Sequence, residues 1–397
     1  MSICLPPWDW SPAAWGSSIF NPLFFRAAGR ASGLLLCALW LGSACAEQTC
    51  LVAFDLGSSG MRAGSSRSAR IERTAFNALA ALDKPGGVLE LEAPTIRGIR
   101  TLLTTLDGGA CEGLAGGFSA WRRALDLDRP TLVAQLKRIE SATGVAVMVI
   151  PPAREGRYAY VAAQRELGDR LTTSHVLDIG GGSLQLASAS GATGMPFGQK
   201  TWYRGLCDAL AREPDHCTRV PWSPAELAAA RTWGARQLRP LVAALPAGLT
   251  MTAVSRPVTR GVKPAIDRLS TATATANTVS ISLLGKAIEQ RAAHPAGFPS
   301  PTDDFGRYLL SDMLLLEALM QAVGLQTVEV AEIDLSNVAG LLDDAHAFAW
   351  RRFYGCYLDN LAASGLPAFD GNPADCPPGS LADHHGVRSG AASGAKQ

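Results

Sequence analysis

The chain has 397 residues, of which 47% are hydrophobic and 18% are charged, and its formal net charge is +1. A chain of this length and composition can bury two globular cores. Because nucleic-acid-binding proteins usually carry a basic excess, the near-zero net charge argues against a nucleic acid as the main partner.

The first 46 residues have the features of a secretory signal with an N-terminal extension. Arg26 and Arg30 precede a short apolar run that begins at Leu34, and the small residues 42–46 follow it. This order of charged, apolar and small residues is typical of a cleaved signal. The run is too short to span a bilayer comfortably; a membrane anchor or a buried segment is the alternative. We therefore expect a periplasmic or secreted protein with no stable membrane span after signal cleavage.

The cysteines beyond residue 46 are a second indication of export. Six of them remain, and an even number in an exported chain favours disulfide bonds, although six cysteines allow fifteen pairings. Two pairs lie close in sequence and leave a third, so the expected bridges are Cys207–Cys217, Cys356–Cys376 and Cys50–Cys111. A metal site is the competing interpretation, but the chain has no Cys-x-x-Cys motif and its six histidines are scattered.

Apolar runs and helical periodicity alternate along the rest of the chain, as in an α/β fold. Predicted strands lie at 49–54, 145–150, 175–178, 184–188, 250–254 and 327–331. Predicted helices lie at 93–106, 130–143, 224–245, 279–293, 308–323 and 345–363. The sequence after residue 367 is rich in Pro, Gly, Ala and Ser, and disorder is predicted beyond Cys376.

Two of the predicted strands end in an aspartate that is followed by a glycine- and serine-rich turn. The first loop is Asp55-Leu-Gly-Ser-Ser-Gly60, and the second loop is Asp178-Ile-Gly-Gly-Gly-Ser183. Glycines allow a tight turn that presents backbone N–H groups to an anion, and serine hydroxyls add donors. The repeated design indicates a duplicated domain. The predicted phosphate-binding residues are Gly57, Ser58, Ser59, Arg62, Gly180, Gly181, Gly182 and Ser183.

The aspartate at the start of each loop predicts a metal ion. A carboxylate facing a bare phosphate would repel it, whereas a hydrated Mg²⁺ or Ca²⁺ between them would bind both. Asp55 and Asp178 are therefore the predicted metal ligands. The alternative is that each carboxylate caps its own turn through backbone N–H groups.

The two loops resemble the phosphate motifs of the superfamily of actin, heat-shock chaperone ATPases and sugar kinases, and more closely those of its hydrolase branch. Residues 178–183, the following 194–198 and the segment 335–343 are similar to the exopolyphosphatase/guanosine pentaphosphate phosphatase (Ppx/GppA) family. The resemblance covers residues from about 50 to 345.

This resemblance implies two RNase H-like (actin-like) α/β domains that face each other across a phosphate-binding cleft. Domain I is expected at 48–158 and domain II at 159–345, with a C-terminal helix and a mostly disordered tail at 346–397. The implied activity is metal-dependent hydrolysis of a phosphoanhydride bond, in which water attacks a terminal phosphate.

Other motifs are more similar to the ecto-apyrases, a family of nucleoside di- and triphosphate hydrolases. The segments 55–62 and 155–164 resemble two apyrase motifs, and Gln185 matches the glutamine that ends a third. The resemblance implies that Glu155 is the general base and that Ser183 and Gln185 orient the attacking water. The alternative for Glu155 is a solvated acid at a helix start.

Two further positions bear on the substrate. Arg122 lies where both families place an arginine, which implies a phosphate contact; a surface arginine at a helix start is the alternative. Both families usually carry a Gly-Gly pair where this chain has Ala253-Val-Ser-Arg-Pro257. This bulkier turn argues against nucleoside recognition. Because the sequence also has no basic stretch to bind a long polyphosphate, a small substrate is expected, either a short polyphosphate or a nucleoside polyphosphate.

Two rival functions stay open. A kinase or ATPase of the wider superfamily is disfavoured by export, because ATP is scarce outside the cytoplasm. The other rival is a catalytically inactive periplasmic protein that binds or senses a phosphorylated ligand. This rival is favoured by the irregular turn at 253–257 and by Leu184, which stands where a threonine is usual.

Overall fold

The structure is a computed structural model, and it describes residues 49–106, 111–213, 217, 221–269, 277–294 and 304–377. The predicted secretory signal at 1–46 and most of the predicted disordered tail lie outside the described residues. Within the described ranges, no helix is both long enough and apolar enough to cross a membrane.

The strands of the described residues form two sheets. They are β1 (Leu51–Leu56), β2 (Gly60–Ser65), β3 (Ser68–Ala75), β4 (Glu112–Gly117), β5 (Ala146–Val149), β6 (His175–Ile179), β7 (Leu184–Ala187), β8 (Ala192–Met195), β9 (Met251–Ala253), β10 (Thr278–Ser280) and β11 (Thr327–Val330). The first sheet has the order β3-β2-β1-β4-β5, and the second has the order β10-β11-β9-β6-β7-β8.

The two sheets repeat one arrangement of strands. In the first, β1 pairs antiparallel with β2 and parallel with β4. In the second, β6 pairs in the same way with β7 and β9. Asp55 lies opposite Arg62, and Asp178 lies opposite Gln185 at the equivalent position. The predicted α/β fold with a duplicated, RNase H-like sheet is confirmed.

Helices cover both sheets. They are α1 (Ala78–Leu82), α2 (Glu92–Thr105), α3 (Ser119–Leu127), α4 (Arg129–Thr143), α5 (Pro152–Leu167), α6 (Gln199–Ala209), α7 (Pro224–Val242), α8 (Lys263–Asp267), α9 (Ile281–Ala293), α10 (Asp304–Val323), α11 (Val338–Leu342), α12 (Ala345–Arg352) and α13 (Tyr354–Ser364). A π-helix, Pro257–Val262, precedes α8.

Local sequence explains where the best-predicted helices begin and end. The Asp128 side chain accepts a hydrogen bond from Thr131 N–H at the start of α4, and Gly144 ends that helix with a left-handed backbone (φ 71°). Ser223 and Glu226 form a capping box at the start of α7. The predicted single helix at 345–363 is wrong in one respect, because the backbone leaves the helical region at Phe353 and separates α12 from α13.

The C-terminal helices pack on the first sheet and cover its edge strand. The hydroxyl of Tyr357 accepts a hydrogen bond from Val149 N–H at 2.8 Å, and that of Tyr354 accepts one from Val147 N–H at 3.2 Å. Exposed N–H groups of an edge strand favour aggregation. Among the described residues β5 is an edge strand, with no further strand paired to it. The two tyrosine hydroxyls therefore provide hydrogen-bond acceptors for its N–H groups.

The helices α5 and α11 connect the two sheets. α5 follows β5 of the first sheet but packs against β6, β7 and β8 of the second, whereas α11 packs against both α5 and β1. Gly340 of α11 lies so close to α5 that a Cβ atom there would be 2.5 Å from the Cα of Tyr158. The N-terminal half of α5 is thereby held between the two sheets. The predicted boundary between residues 158 and 159 falls inside α5 and stays a prediction.

Among the described residues there are three disulfide bonds, and they are the predicted ones: Cys50–Cys111, Cys207–Cys217 and Cys356–Cys376. The first joins the residues that precede β1 and β4, and the third ties α13 to the end of the described chain. A bridge of this kind typically contributes about 2–4 kcal/mol by restricting the unfolded chain.

Candidate active site

The first loop and the second loop have the same hydrogen-bonded turn. Gly57 N–H donates to the Gly60 carbonyl at 3.0 Å, and Gly180 N–H donates to the Ser183 carbonyl at 2.8 Å. Within the described ranges, several loop N–H groups form no backbone hydrogen bond: those of Ser58, Ser59, Gly181, Gly182 and Ser183. Of these residues, all except Gly182 line a cavity, where their N–H groups are available to an anion. Backbone donors of this kind bind anions, and the predicted phosphate binding of the two loops stays a prediction.

The start of α6 holds the second loop in place. The N–H groups of Gln199 and Lys200 donate to the carbonyls of Gly180 and Gly181, at 2.9 and 2.8 Å. Gly198 makes this packing possible, because a Cβ atom there would lie 2.4 Å from the Gly180 carbonyl oxygen. The same Cβ atom would lie 2.5 Å from the backbone nitrogen of Ser183, so the start of α6 packs closely on the backbone of the second loop and holds its turn in place.

One cavity of about 500 Å³ lies between the two loops. The predicted residues that line it are Asp55, Gly57, Ser58, Ser59, Arg62, Glu155, Asp178, Gly180, Gly181 and Ser183. Gly182, Gln185 and Arg122 are not among the lining residues. Gly182 faces α3 instead, because a Cβ atom on it would lie 2.3 Å from the hydroxyl of Ser119. The structure thus brings residues from both repeats to a single cavity.

The predicted catalytic residues form one hydrogen-bonded group. Glu155 lies in the first turn of α5, and its Oε2 accepts a hydrogen bond from Gln185 Nε2 at 2.9 Å. The same Nε2 atom donates to Ser183 Oγ at 2.8 Å. Oε1 of Glu155 forms no hydrogen bond with any described residue, although Glu155 lines the cavity. This oxygen is therefore free to accept a proton from a bound water.

Arg122 takes part in the same group. Its Nη2 lies 2.7 Å from Glu155 Oε2 and donates to Ser183 Oγ at 3.1 Å, while its Nη1 donates to the Ile150 carbonyl at 2.9 Å. Both charged side chains are about nine-tenths buried. In this structure Arg122 positions Glu155 and Ser183, and its predicted phosphate contact stays a prediction.

Three of the carboxylates that line the cavity, those of Asp55, Glu155 and Asp178, influence one another. Burial raises the pKa of Glu155, the Arg122 guanidinium lowers it, and the negative charge of Asp55 raises it. Burial, followed by the charge of Glu155, raises the pKa of Asp178 to about 7, and Asp55 contributes in the same direction. Such shifts are typical of catalytic and metal-binding carboxyl groups.

The Asp55 carboxylate reaches across the fold rather than to its own turn. Its Oδ2 accepts a hydrogen bond from Asn337 N–H at 3.2 Å and lies 3.6 Å from Nη1 of Arg62. Arg62 also donates to the Leu335 carbonyl at 2.8 Å. Burial raises the pKa of Asp55, and Arg62 opposes that rise. The capping alternative for Asp55 is therefore wrong. Asp178 forms no hydrogen bond through its carboxylate within the described part of the chain.

The donor set fits a hard divalent cation. Among the described residues, no group of three or more His, Cys, Asp or Glu is arranged to hold a metal, but Mg²⁺ typically takes only one or two carboxylates together with water and substrate phosphates. Asp55 and Asp178 supply these carboxylates. Asn337 also lines the cavity, and its buried Oδ1 has no hydrogen-bond partner among the described residues. A cation there would favour the ionised form of Asp178, whose pKa is raised by burial and by the charges of Glu155 and Asp55.

Several cavity residues were missed by the sequence analysis: Ser119, Gln199, Ser255, Arg256 and Asn337. Two of the segments involved follow β4 and β9, which pair in parallel with β1 and β6. Since parallel strands end at the same sheet edge, the residues after them belong beside the loops. A predicted strand order would have identified Ser119, Ser255 and Arg256.

Comparisons with known proteins agree with this geometry. A model of the Ppx/GppA phosphatase family matches residues 134–333. The structure is similar to the type II variant of the Aquifex aeolicus Ppx/GppA phosphatase, with 16% sequence identity and a TM-score of 0.54 over 74% of this chain and 98% of that chain. It is also similar to an exopolyphosphatase from Cytophaga hutchinsonii, with 16% identity and a TM-score of 0.52 over 74% of this chain and 96% of that one. At these identities the likeness concerns the fold. A search of curated proteins gave no match.

Proposed function

Because the chain belongs to the Ppx/GppA phosphatase family, we propose that it hydrolyses the terminal phosphoanhydride bond of a short polyphosphate or a nucleoside polyphosphate. The observation that carries this proposal is the buried group of Glu155, Gln185, Ser183 and Arg122 beside two anion-binding loops in one cavity. The group supplies a base, and the loops supply donors for the phosphate on which it acts.

Glu155 acts as the general base toward the attacking water. Its Oε2 is fixed by Gln185 and Arg122, so Oε1 is the oxygen that accepts the proton. Burial raises the pKa of Glu155, which makes its carboxylate a stronger base near neutral pH. Ser183 Oγ already accepts two hydrogen bonds, from Gln185 and Arg122. Its own proton is therefore directed to the water or to a phosphate oxygen.

The two loops stabilise the charge that develops on the transferred phosphate. Their free N–H groups are held by the turn hydrogen bonds of Gly57 and Gly180 before substrate arrives. Preorganised donors of this kind stabilise a transition state without further rearrangement. Asp55, Asp178 and the Asn337 amide would hold a Mg²⁺ or Ca²⁺ ion, which when bound neutralises phosphate charge.

The test is turnover of a panel of polyphosphates and nucleoside polyphosphates with added Mg²⁺ or Ca²⁺. In the Glu155→Gln variant we expect kcat to fall about 10²–10⁴-fold with little change in ligand affinity, because the size and hydrogen bonding of the side chain are kept and its basicity is lost. Glu166→Gln, an exposed position on the same helix, is the matched control and keeps wild-type turnover. Unchanged turnover in Glu155→Gln would show that another residue is the base.

One observation favours a second candidate function, an exported protein that binds a phosphorylated ligand without hydrolysing it. The ion pair between Arg122 and Glu155, at 2.7 Å, reduces the basicity of the carboxylate. Under this alternative, wild-type protein binds phosphorylated ligands and releases no phosphate with any member of the panel. Metal-dependent phosphate release would exclude it.

A further inference from the structure

α10 carries a buried aspartate in the apolar core of the second sheet. Asp312 is 1% exposed and does not line the cavity, and its helix neighbours Leu309, Met313 and Leu316 belong to that core. Carboxyl groups are almost never fully buried unless they are paired. Asp312 has no cationic partner among the described residues, so the group that it does contact is informative.

That group is the side-chain amide of Gln199. Oδ2 of Asp312 accepts a hydrogen bond from Gln199 Nε2 at 2.7 Å, whereas the buried Oδ1 has no partner within the described ranges. Burial raises the pKa of Asp312 to about 8, and the Gln199 amide lowers it. The carboxyl group is therefore mostly neutral at pH 7 and mostly ionised at pH 9.

The neighbouring helices offer the ionised form no compensating charge. α10 packs against α6, α7, α9 and the π-helix, and the buried Glu317 of α10 pairs with Arg231 of α7. The other charged or titratable side chains of these elements that are described and not exposed are Lys200, Tyr203, Glu226, Arg291 and Tyr308. None of them is among the causes of the pKa shift of Asp312. Ionisation therefore places an uncompensated charge in the core.

Gln199 also joins α6 to the second loop. It is the first residue of α6, and its backbone N–H donates to the Gly180 carbonyl at 2.9 Å. The next residue, Lys200, donates from its backbone N–H to the Gly181 carbonyl at 2.8 Å. Gln199 thus binds the buried acid through its side chain and the loop through its backbone.

Ionisation of Asp312 disfavours this arrangement. A buried carboxylate oxygen that lacks a donor is costly, and water that reaches the oxygen lowers the cost. Gln199 lines the cavity as well as contacting Asp312, so displacement of its side chain opens a path for water from the cavity to Oδ1. Because the displaced side chain belongs to the residue that starts α6, its movement weakens the two backbone hydrogen bonds to the loop.

We propose that Asp312 is a pH-sensitive positioning residue for the second loop. While its carboxyl group is neutral, Gln199 stays against it and the start of α6 holds the loop. When the carboxyl group ionises, Gln199 is displaced and the loop is released. This property goes beyond the proposed function, because it concerns the order of the loop and not the substrate.

The test is backbone hydrogen exchange of the ligand-free protein at pH 7 and pH 9, with each rate corrected for the intrinsic effect of pH. The amides of Gln199 and Lys200 report on the two hydrogen bonds to the loop. In the wild type their protection falls by up to about tenfold between the two pH values, because a group that ionises near pH 8 loses its neutral fraction by that factor. In Asp312→Asn, which stays neutral, protection changes less than about twofold.

Two further variants complete the test. Gln199→Met keeps the backbone N–H but lacks the side-chain amide that lowers the pKa of Asp312, so the midpoint of the fall moves to higher pH. Asp208→Asn is the matched control, since Asp208 is an exposed aspartate of α6, and it follows the wild type. Urea unfolding verifies that each variant is folded.

Three results would overturn the inference. They are pH-independent protection in the wild type, the same fall in Asp312→Asn as in the wild type, and an unchanged midpoint in Gln199→Met. The last result decides the question even if Asp312→Asn does not fold. No ligand or turnover enters the measurement, so absence of phosphate release would refute the proposed function alone.

Discussion

Removal of Arg122 tests how much the ion pair between Arg122 and Glu155 contributes to the stability of the fold. In Arg122→Met the carboxylate of Glu155 stays buried but loses its charged partner at 2.7 Å, and the hydroxyl of Ser183 loses a donor at 3.1 Å. Leaving one charge of a buried pair unpaired typically costs about 3–5 kcal/mol. We expect a loss of that size in the free energy of unfolding at pH 8.

The pH dependence separates this effect from a loss of packing. Without Arg122 the pKa of Glu155 in the folded protein rises further above its unfolded value, because the guanidinium was what lowered it. A raised folded-state pKa stabilises the protein below the unfolded pKa, and that stability is lost as the pH rises. The variant should therefore be close to wild type at pH 4.5 and most destabilised at pH 8.

Urea unfolding at the two pH values, with disulfides intact, measures the effect. The double variant Arg122→Met/Glu155→Gln has no buried charge at this position and should recover most of the loss at pH 8. The neighbouring Arg123→Met is the control, since Arg123 pairs with Asp83 at a partly exposed site and should cost less than about 1 kcal/mol. Equal destabilisation at both pH values, without recovery in the double variant, would refute the reasoning.

Three further predictions concern the metal, the disulfides and a second buried acid. Hydrolysis should stop with chelator, return with Mg²⁺ or Ca²⁺, and be lost in both Asp55→Asn and Asp178→Asn; full activity in either variant, or in chelator, excludes a shared metal. We propose that the protein is exported, so intact-mass analysis under non-reducing conditions should find no free thiols among the six cysteines beyond residue 46, and six free thiols would contradict export. Burial raises the pKa of Asp312 to about 8, so its contribution to stability is lost as the pH rises from about 4 to 8, by up to about 1.4 kcal/mol per unit. Urea unfolding of Asp312→Asn should show a flatter pH dependence than wild type; identical slopes would contradict this assignment.

The sequence was sufficient for features that are encoded locally. Both loops follow apolar strands, and their glycines and serines form the same turn, with Gly57 and Gly180 as donors. The disulfides followed from an even number of cysteines and the short spacing of two pairs. Contacts between segments that are distant in the sequence could not be predicted from it. The bond from Asn337 to Asp55 joins residues 282 positions apart, and only the packing of α11 against β1 brings them together.

The two repeats differ in chemistry because they carry different residues at equivalent positions. Arg62 and Gln185 occupy equivalent positions, opposite Asp55 and Asp178 in the two hairpins. In the first repeat this position carries a cation, and Arg62 lies 3.6 Å from Asp55, which opposes the rise in the pKa of that carboxyl group.

In the second repeat the same position carries a neutral amide, and Gln185 donates to Glu155 rather than to Asp178. The Asp178 carboxylate therefore has no hydrogen-bonded partner among the described residues, and its pKa is raised to about 7. A divalent cation would lower the energy of the ionised Asp178 more than that of Asp55, which already has Arg62. The second repeat thus provides Gln185, which positions Glu155, and Asp178, the carboxylate that a bound metal ion would stabilise more.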